Sequence, residues 1–197
     1  MRMDKIDFAK THRDLYSATG KIKEVVAGRA VFLAVDGHGA PGGELFQAAI
    51  GALYGAAYTI KFTMKKAGSC DFAVSKLECV WDVDDPKRTP VAQWRWRLLI
   101  RVPEAVTLAQ LKAAKQALRD KGQDADAVQR VAWKEGRALQ TMHVGPYDQV
   151  HVTYARLGMR AEELGLDPVG PGHEIYVSDP RRVPPERCKT IVRLGVR

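Results

Sequence analysis

The chain has 197 residues, 46% hydrophobic and 27% charged, with a formal net charge of +8. Such a composition excludes bulk disorder, and no run approaches the roughly 18 uncharged apolar residues of a membrane helix. The opening "MRMDKIDFAKTHRDLYS" lacks the apolar centre of a signal peptide, so a cytoplasmic location with no membrane partner is expected. The basic residues run from Lys5 to Arg197 interleaved with acids, which argues against direct DNA binding. Cys70, Cys79 and Cys188 contain no CxxC pair, which argues against a disulfide framework or zinc knuckle.

In chain order, residues 1–21 are polar and turn-rich and are expected to form a leader or docking arm. "EVVAGRAVFLAVDGHG" reads as a valine-rich strand ending in glycines. Residues 44–66 carry apolar side chains at helical spacing without proline, which predicts a helix. "DFAVSKLECVWDV" and "QWRWRLLIRV" read as two strands joined by the turn-forming "DDPKRTP". A connecting helix is predicted over 107–121, with Lys112, Lys115 and Arg119 opposite Leu108, Leu111 and Leu118, the pattern of an amphipathic surface helix.

The second half repeats the order. "VQRVAWKEGRALQTMHVG" reads as a hairpin about Glu135 and Gly136, and "YDQVHVTYARLGMRAEELG" as a helix closed by Gly165. "HEIYVSD" and "CKTIVRLGV" read as two further strands. Strand, helix, strand, strand thus occurs twice, in a first module of about 22–103 and a second of about 127–197. An α+β fold follows, with two antiparallel sheets in approximate two-fold relation, a helix on one face of each and a shared ligand groove on the other.

Two tempting motifs carry little. "GHGAPG", Gly37 to Gly42, satisfies GxGxxG, but the acid expected about 20 residues on would fall inside a helix, and Pro41 removes an amide that a phosphate would use. His173 and Glu174 are adjacent on a strand and point to opposite faces, so they do not chelate one ion together. His38, His143 and His151 lack ligand spacing, and no metal or cofactor is called for.

The aromatic residues are more informative. Tyr54 and Tyr58 are four apart on one helix side, Trp94 and Trp96 share a strand face, and so do Cys79 and Trp81. Glu174 shares a face with Tyr176. Such rings can pack beneath the first helix, or can line a groove for flat, apolar or cationic ligands, with one buried carboxylate orienting the ligand or acting as a base.

"LYGAAYTIKF", "LECVW", "WRWRLLIRVP", "MHVGPYDQV" and "HEIYVSDPRRVPPERCKTIVRLGV" together resemble the GyrI-like small-molecule-binding family in its stand-alone form, from about residue 22 to 197. The resemblance implies two strand-helix-strand-strand modules around a central groove, with Glu174 at its floor. The "YTIK", "WxW" and "HEIYxSDPRR" motifs resemble a subgroup that hydrolyses cyclopropane-bearing DNA alkylators, the cyclopropanoid cyclopropyl hydrolases. The sequence departs from that pattern at Gly172, where a histidine is common, and at Cys79 and Asp82. The resemblance implies that Tyr58, Trp81, Trp94, Trp96, Tyr147 and Tyr176 bind a planar ligand, with Glu174 and Tyr54 catalytic. A binding module that sequesters or senses drugs, or modulates gyrase, would use the same groove. A transcription activator is disfavoured by the short leader.

Overall fold

The computed structural model describes residues 4–83, 85–86 and 88–197. The first three residues of the expected leader, and Asp84 and Lys87 of the expected turn, lie outside them. The chain runs β1 (Lys5–Ile6), α1 (Phe8–Thr11), α2 (Arg13–Tyr16), β2 (Lys23–His38), α3 (Glu44–Lys66), β3 (Asp71–Phe72), β4 (Leu77–Asp82), β5 (Arg95–Val102), α4 (Leu108–Arg119), β6 (Gln129–Val144), α5 (Val150–Glu163), β7 (Pro168–Tyr176) and β8 (Lys189–Val196). No helix of the described residues is long and apolar enough to cross a membrane.

The fold is α+β, as the element order indicates. The expected two sheets are one closed sheet, because each inner edge finds a partner in the other half. Strand order is β2-β5-β4-β7-β8-β6, all neighbours are antiparallel, and β6 returns to β2. The first half contributes β2-β5-β4 and the second β6-β8-β7, the same order of elements within each. Closure leaves no long unpaired edge.

The expected hairpin at Glu135 and Gly136 is not there. β6 runs unbroken through both residues and pairs with β2 from Gln129 to Gln140. Gly136 takes φ 89° instead of turning the chain. On either side of it the inward-facing positions change parity, from Trp133 and Glu135 to Ala138 and Gln140. β2 changes side over the same stretch, from Ala30 and Phe32 to Val25 and Ala27, while the pairing register stays constant, and a glycine in the left-handed region takes up such a local kink without a steric penalty. "DFAVSKLECVWDV" is likewise two short strands, since Asp71 and Phe72 pair with Lys5 and Ile6 of the N-terminal arm.

α3 spans the predicted residues and buries Phe46, Ala49, Leu53, Ala57, Ile60 and Met64 against Leu33, Val35, Cys79, Trp96 and Leu98. α4 is started by a capping box between Thr107 and Gln110 and buries Leu111, Ala114 and Leu118, leaving Leu108 exposed. α5 packs Val150, Leu157 and Ala161 on Leu139, Val192 and Val196, and Gly165 at φ 65° follows its end. Both long helices of the modules therefore cover the same side of the curled sheet. The opposite side faces inward around Phe32, Ala34, Val80, Leu99 and Trp133.

Candidate functional site

β7 sends consecutive side chains to the two sides of the sheet. On the helix-covered side lie Gly172, Glu174 and Tyr176, opposite Trp81, Cys79 and, on β8, Val192 and Thr190. Glu174 is only 7% exposed, and the Tyr176 hydroxyl donates to its Oε2 at 3.0 Å. Burial raises the Glu174 carboxyl above its ordinary range, opposed by hydrogen bonding from Tyr176 and Trp81, by the nearby His173 charge, and by Tyr154. The same burial pushes the Cys79 thiol well up, so it is no ready nucleophile.

Aromatic rings surround this carboxyl. Tyr147, from the 3₁₀ turn before α5, meets Tyr176 edge-on at 5.4 Å, and burial with Cys188 beside it pushes its hydroxyl up to about 12. Trp81 stacks on Phe46 at 5.7 Å and meets Trp94 edge-on at 5.9 Å, while the Trp94 indole donates to Thr89 O at 3.0 Å. Trp96, expected in the groove wall, is 3% exposed beneath Phe46, with its ring in the space that any side chain on Gly37 would need. It supports Phe46 and Trp81 from below. That contact accounts for Gly37 in the glycine motif.

Tyr54 is half-buried on α3. Burial raises its hydroxyl, which is held by the Leu77 backbone and feels Asp179 and Arg181 beyond β7. Tyr58 is exposed and stacks between Tyr54 and Phe62. These two tyrosines form one column of rings along α3 with Phe62.

Across the sheet His173 faces inward into a charged cluster. Its Nε2 lies 3.0 Å from Glu78 Oε2 and its Nδ1 2.8 Å from Glu135 Oε1. Glu135 accepts from Arg193 Nη1 at 2.7 Å, Gln140 Oε1 accepts from Arg193 Nε at 2.6 Å, and Tyr16 donates to Glu78 at 2.7 Å. Burial alone would lower the His173 imidazole, but Glu135 and then Glu78 raise it to about 9. Burial likewise disfavours the Glu135 anion, yet His173 and Arg193 hold it at about 2. A small recess opens over this cluster, walled by Tyr16, Phe32, Arg101 and Trp133.

The sequence profile of the GyrI-like small molecule binding domain matches residues 21–197. The chain belongs to the GyrI-like family. Among solved structures, an uncharacterized conserved protein from Listeria innocua is 38% identical and superposes with a TM-score of 0.91, over 98% of this chain and 100% of that one. A hydrolase from Listeria innocua is 38% identical with a TM-score of 0.88 over the same shares. The EcmrR C-terminal domain, 14% identical with a TM-score of 0.54 over 90% of this chain and 96% of that one, shares the fold alone. No curated protein matches.

In this GyrI-like chain the structure brings Glu174, Tyr176, Trp81 and Tyr147 together, with Trp94 adjoining Trp81. Sequence reasoning missed Phe46 and Tyr154. Tyr154 was legible as part of the α5 stripe that includes Val150, Leu157 and Ala161, spaced by three or four residues. Its hydroxyl sits above Gly172, which only the three-dimensional pairing of α5 with β7 could disclose.

Proposed function

We propose that the helix-covered side of the sheet, centred on Glu174, binds planar aromatic or cationic xenobiotics and adds water to cyclopropane-bearing DNA alkylators, protecting the cell. The observation that carries this reading is Glu174, 7% exposed, held by Tyr176 and walled by Trp81 and Tyr147. Two Listeria innocua relatives described as hydrolases, at 37% and 38% identity over 98% of this chain, support hydrolytic chemistry.

In this mechanism the ligand stacks on the aromatic walls, and Tyr54 at the rim hydrogen-bonds the carbonyl conjugated to the strained ring. Glu174 takes a proton from water as the water oxygen attacks a ring methylene carbon. The carbon–carbon bond to the ring junction breaks, and its electron pair moves through the conjugated system to the carbonyl oxygen. That oxygen takes up a proton from solvent and becomes a phenol, and Glu174 releases to solvent the proton it took. One water is added, the aromatic ring is restored and the alkylating carbon is spent. Burial suits Glu174 to this role because it brings the carboxyl closer to the working pH of a general base.

The alternative, a drug-sequestering, sensing or gyrase-modulating module, uses the same rings without chemistry. Mass-spectrometric turnover of a cyclopropane-conjugated dienone alkylator by the wild type and Glu174→Gln separates them. Hydrolysis predicts catalytic appearance of the water adduct and a loss of about 10²–10⁴-fold in the variant. Stoichiometric binding with no adduct in either protein would leave a binding module.

A further inference from the structure

Among the described residues, three buried side-chain polar atoms have no hydrogen-bond partner: Trp96 Nε1, Tyr154 Oη and Thr190 Oγ. Trp96 pairs with Trp81 and Thr190 with Tyr176, so these two lie on the same side of the sheet as Glu174, and Tyr154 reaches that side from α5. Buried polar groups ordinarily find a partner, and where protein supplies none, water or a ligand does. Unpartnered atoms gathered on one side of the sheet therefore mark where a polar atom from outside is received.

Tyr154 is the one beside Glu174, close enough to favour the carboxylate form although it closes no hydrogen bond. Its place is enforced by Gly172. A Cβ there would lie 2.6 Å from Tyr154 Oη, 2.8 Å from Cζ and 2.9 Å from Cε1, so any side chain at 172 would displace the phenol. The glycine that departs from the hydrolase-like motif is thus the seat of a tyrosine hydroxyl. Tyr176 occupies Glu174 Oε2, and the other carboxylate oxygen has acceptor capacity left.

We propose that Tyr154 is a positioning residue of the groove, its hydroxyl and the Glu174 carboxylate together holding one water molecule above Gly172. This deepens the hydrolytic reading and rests on it for its kinetic consequence. The water gives one hydrogen bond to Glu174 and accepts one from the Tyr154 hydroxyl, which leaves an oxygen lone pair to attack the ligand. The groups facing Glu174 are Cys79 and Trp81 from β4, Tyr176 from β7, Tyr154 from α5 and Tyr147 from the turn before it, with the His173 charge acting from the far side.

Tyr154→Phe removes one oxygen and keeps the ring. The expected result is a fall in kcat of tenfold or more with KM and the Kd of a planar aromatic cation within about twofold. The Glu174 carboxyl ¹³C titration should move to higher pH, because a group that favours the anion is gone, and the acidic limb of the kcat/KM profile should follow. Gly172→Ala, which pushes the phenol aside, should reproduce both effects. Unchanged titration and unchanged kcat in Tyr154→Phe would overturn the assignment. If the wild type adds no water, the hydrolytic reading fails by itself. The carboxyl titration then decides alone: a shift in Tyr154→Phe retains the joint water site, and none removes it.

Discussion

His173 and Glu174 are neighbours in sequence and opposites in situation. His173 points inward, where Glu78 and Glu135 accept from both ring nitrogens and Arg193, Gln140 and Tyr16 complete the set. Glu174 points toward the helices, held by Tyr176 among rings and beside a hydroxyl without a partner. One side of the strand is electrostatically complete, and the other is left open to a further polar atom. The difference teaches that burial alone does not set what a carboxylate can still bind. Glu78 is more buried than Glu174, but its acceptors are taken.

The comparison breaks most severely on the inward side. Glu135→Ala strips partners from both His173 and Arg193 and should cost about 3–5 kcal/mol, read as a lower denaturation midpoint at unchanged slope. Glu174→Gln should show the reverse pattern, with turnover lost and stability at neutral pH equal to the wild type or higher, since an ion that burial disfavours is gone. Comparable destabilisation by both would mean that the two sides are not distinct.

Acidity sharpens the contrast next. Because the folded-state pKa of His173 is raised from 6.5 to about 9, its stabilisation is complete below the lower value and fades as pH rises through the upper one. Glu135 works in the opposite sense: lowered from 4.5 to about 2, it stabilises above the ordinary value, and that contribution is lost as pH falls through about 2. Stability of the wild type should therefore fall between pH 6.5 and 9, while His173→Gln, less stable throughout, should lack that decline. A wild-type profile flat over this interval would mean that the imidazole is not held as a cation.

The smallest expected effect is on the ligand walls. Trp81→Leu removes the ring stacked on Phe46 and edge-on to Trp94, and should weaken binding of a planar aromatic cation by about three- to tenfold in a calorimetric titration. Tyr58→Ala at the rim should change it less than twofold.

Much of this was legible in the chain. Helical periodicity placed α3 over about residues 44–66, and alternation placed His173 and Glu174 on opposite sides, because both patterns depend on local backbone geometry. The unbroken β6 was not legible, since a glycine in an otherwise alternating run signals a turn and a local kink equally well, and only the distant β2 decides. The side of the sheet that Glu174 shares with the helices was also hidden. It depends on closure through β2–β6 and β4–β7, pairings between residues far apart in the chain. The role of Gly172 needed the position of Tyr154, which sits on another element.

The guanidinium of Arg193 on β8 donates to the backbone carbonyl of Leu15, at a sequence separation of 178 residues. During synthesis Glu78, Glu135 and His173 therefore leave the ribosome well before the arginine that completes their cluster. Until β8 emerges, the closed sheet lacks a stave, and the nascent chain must hold its buried charges hydrated. Closure of the sheet thus waits for β8, its last strand in chain order. Truncation within β8 should yield a chaperone client in place of a smaller working domain.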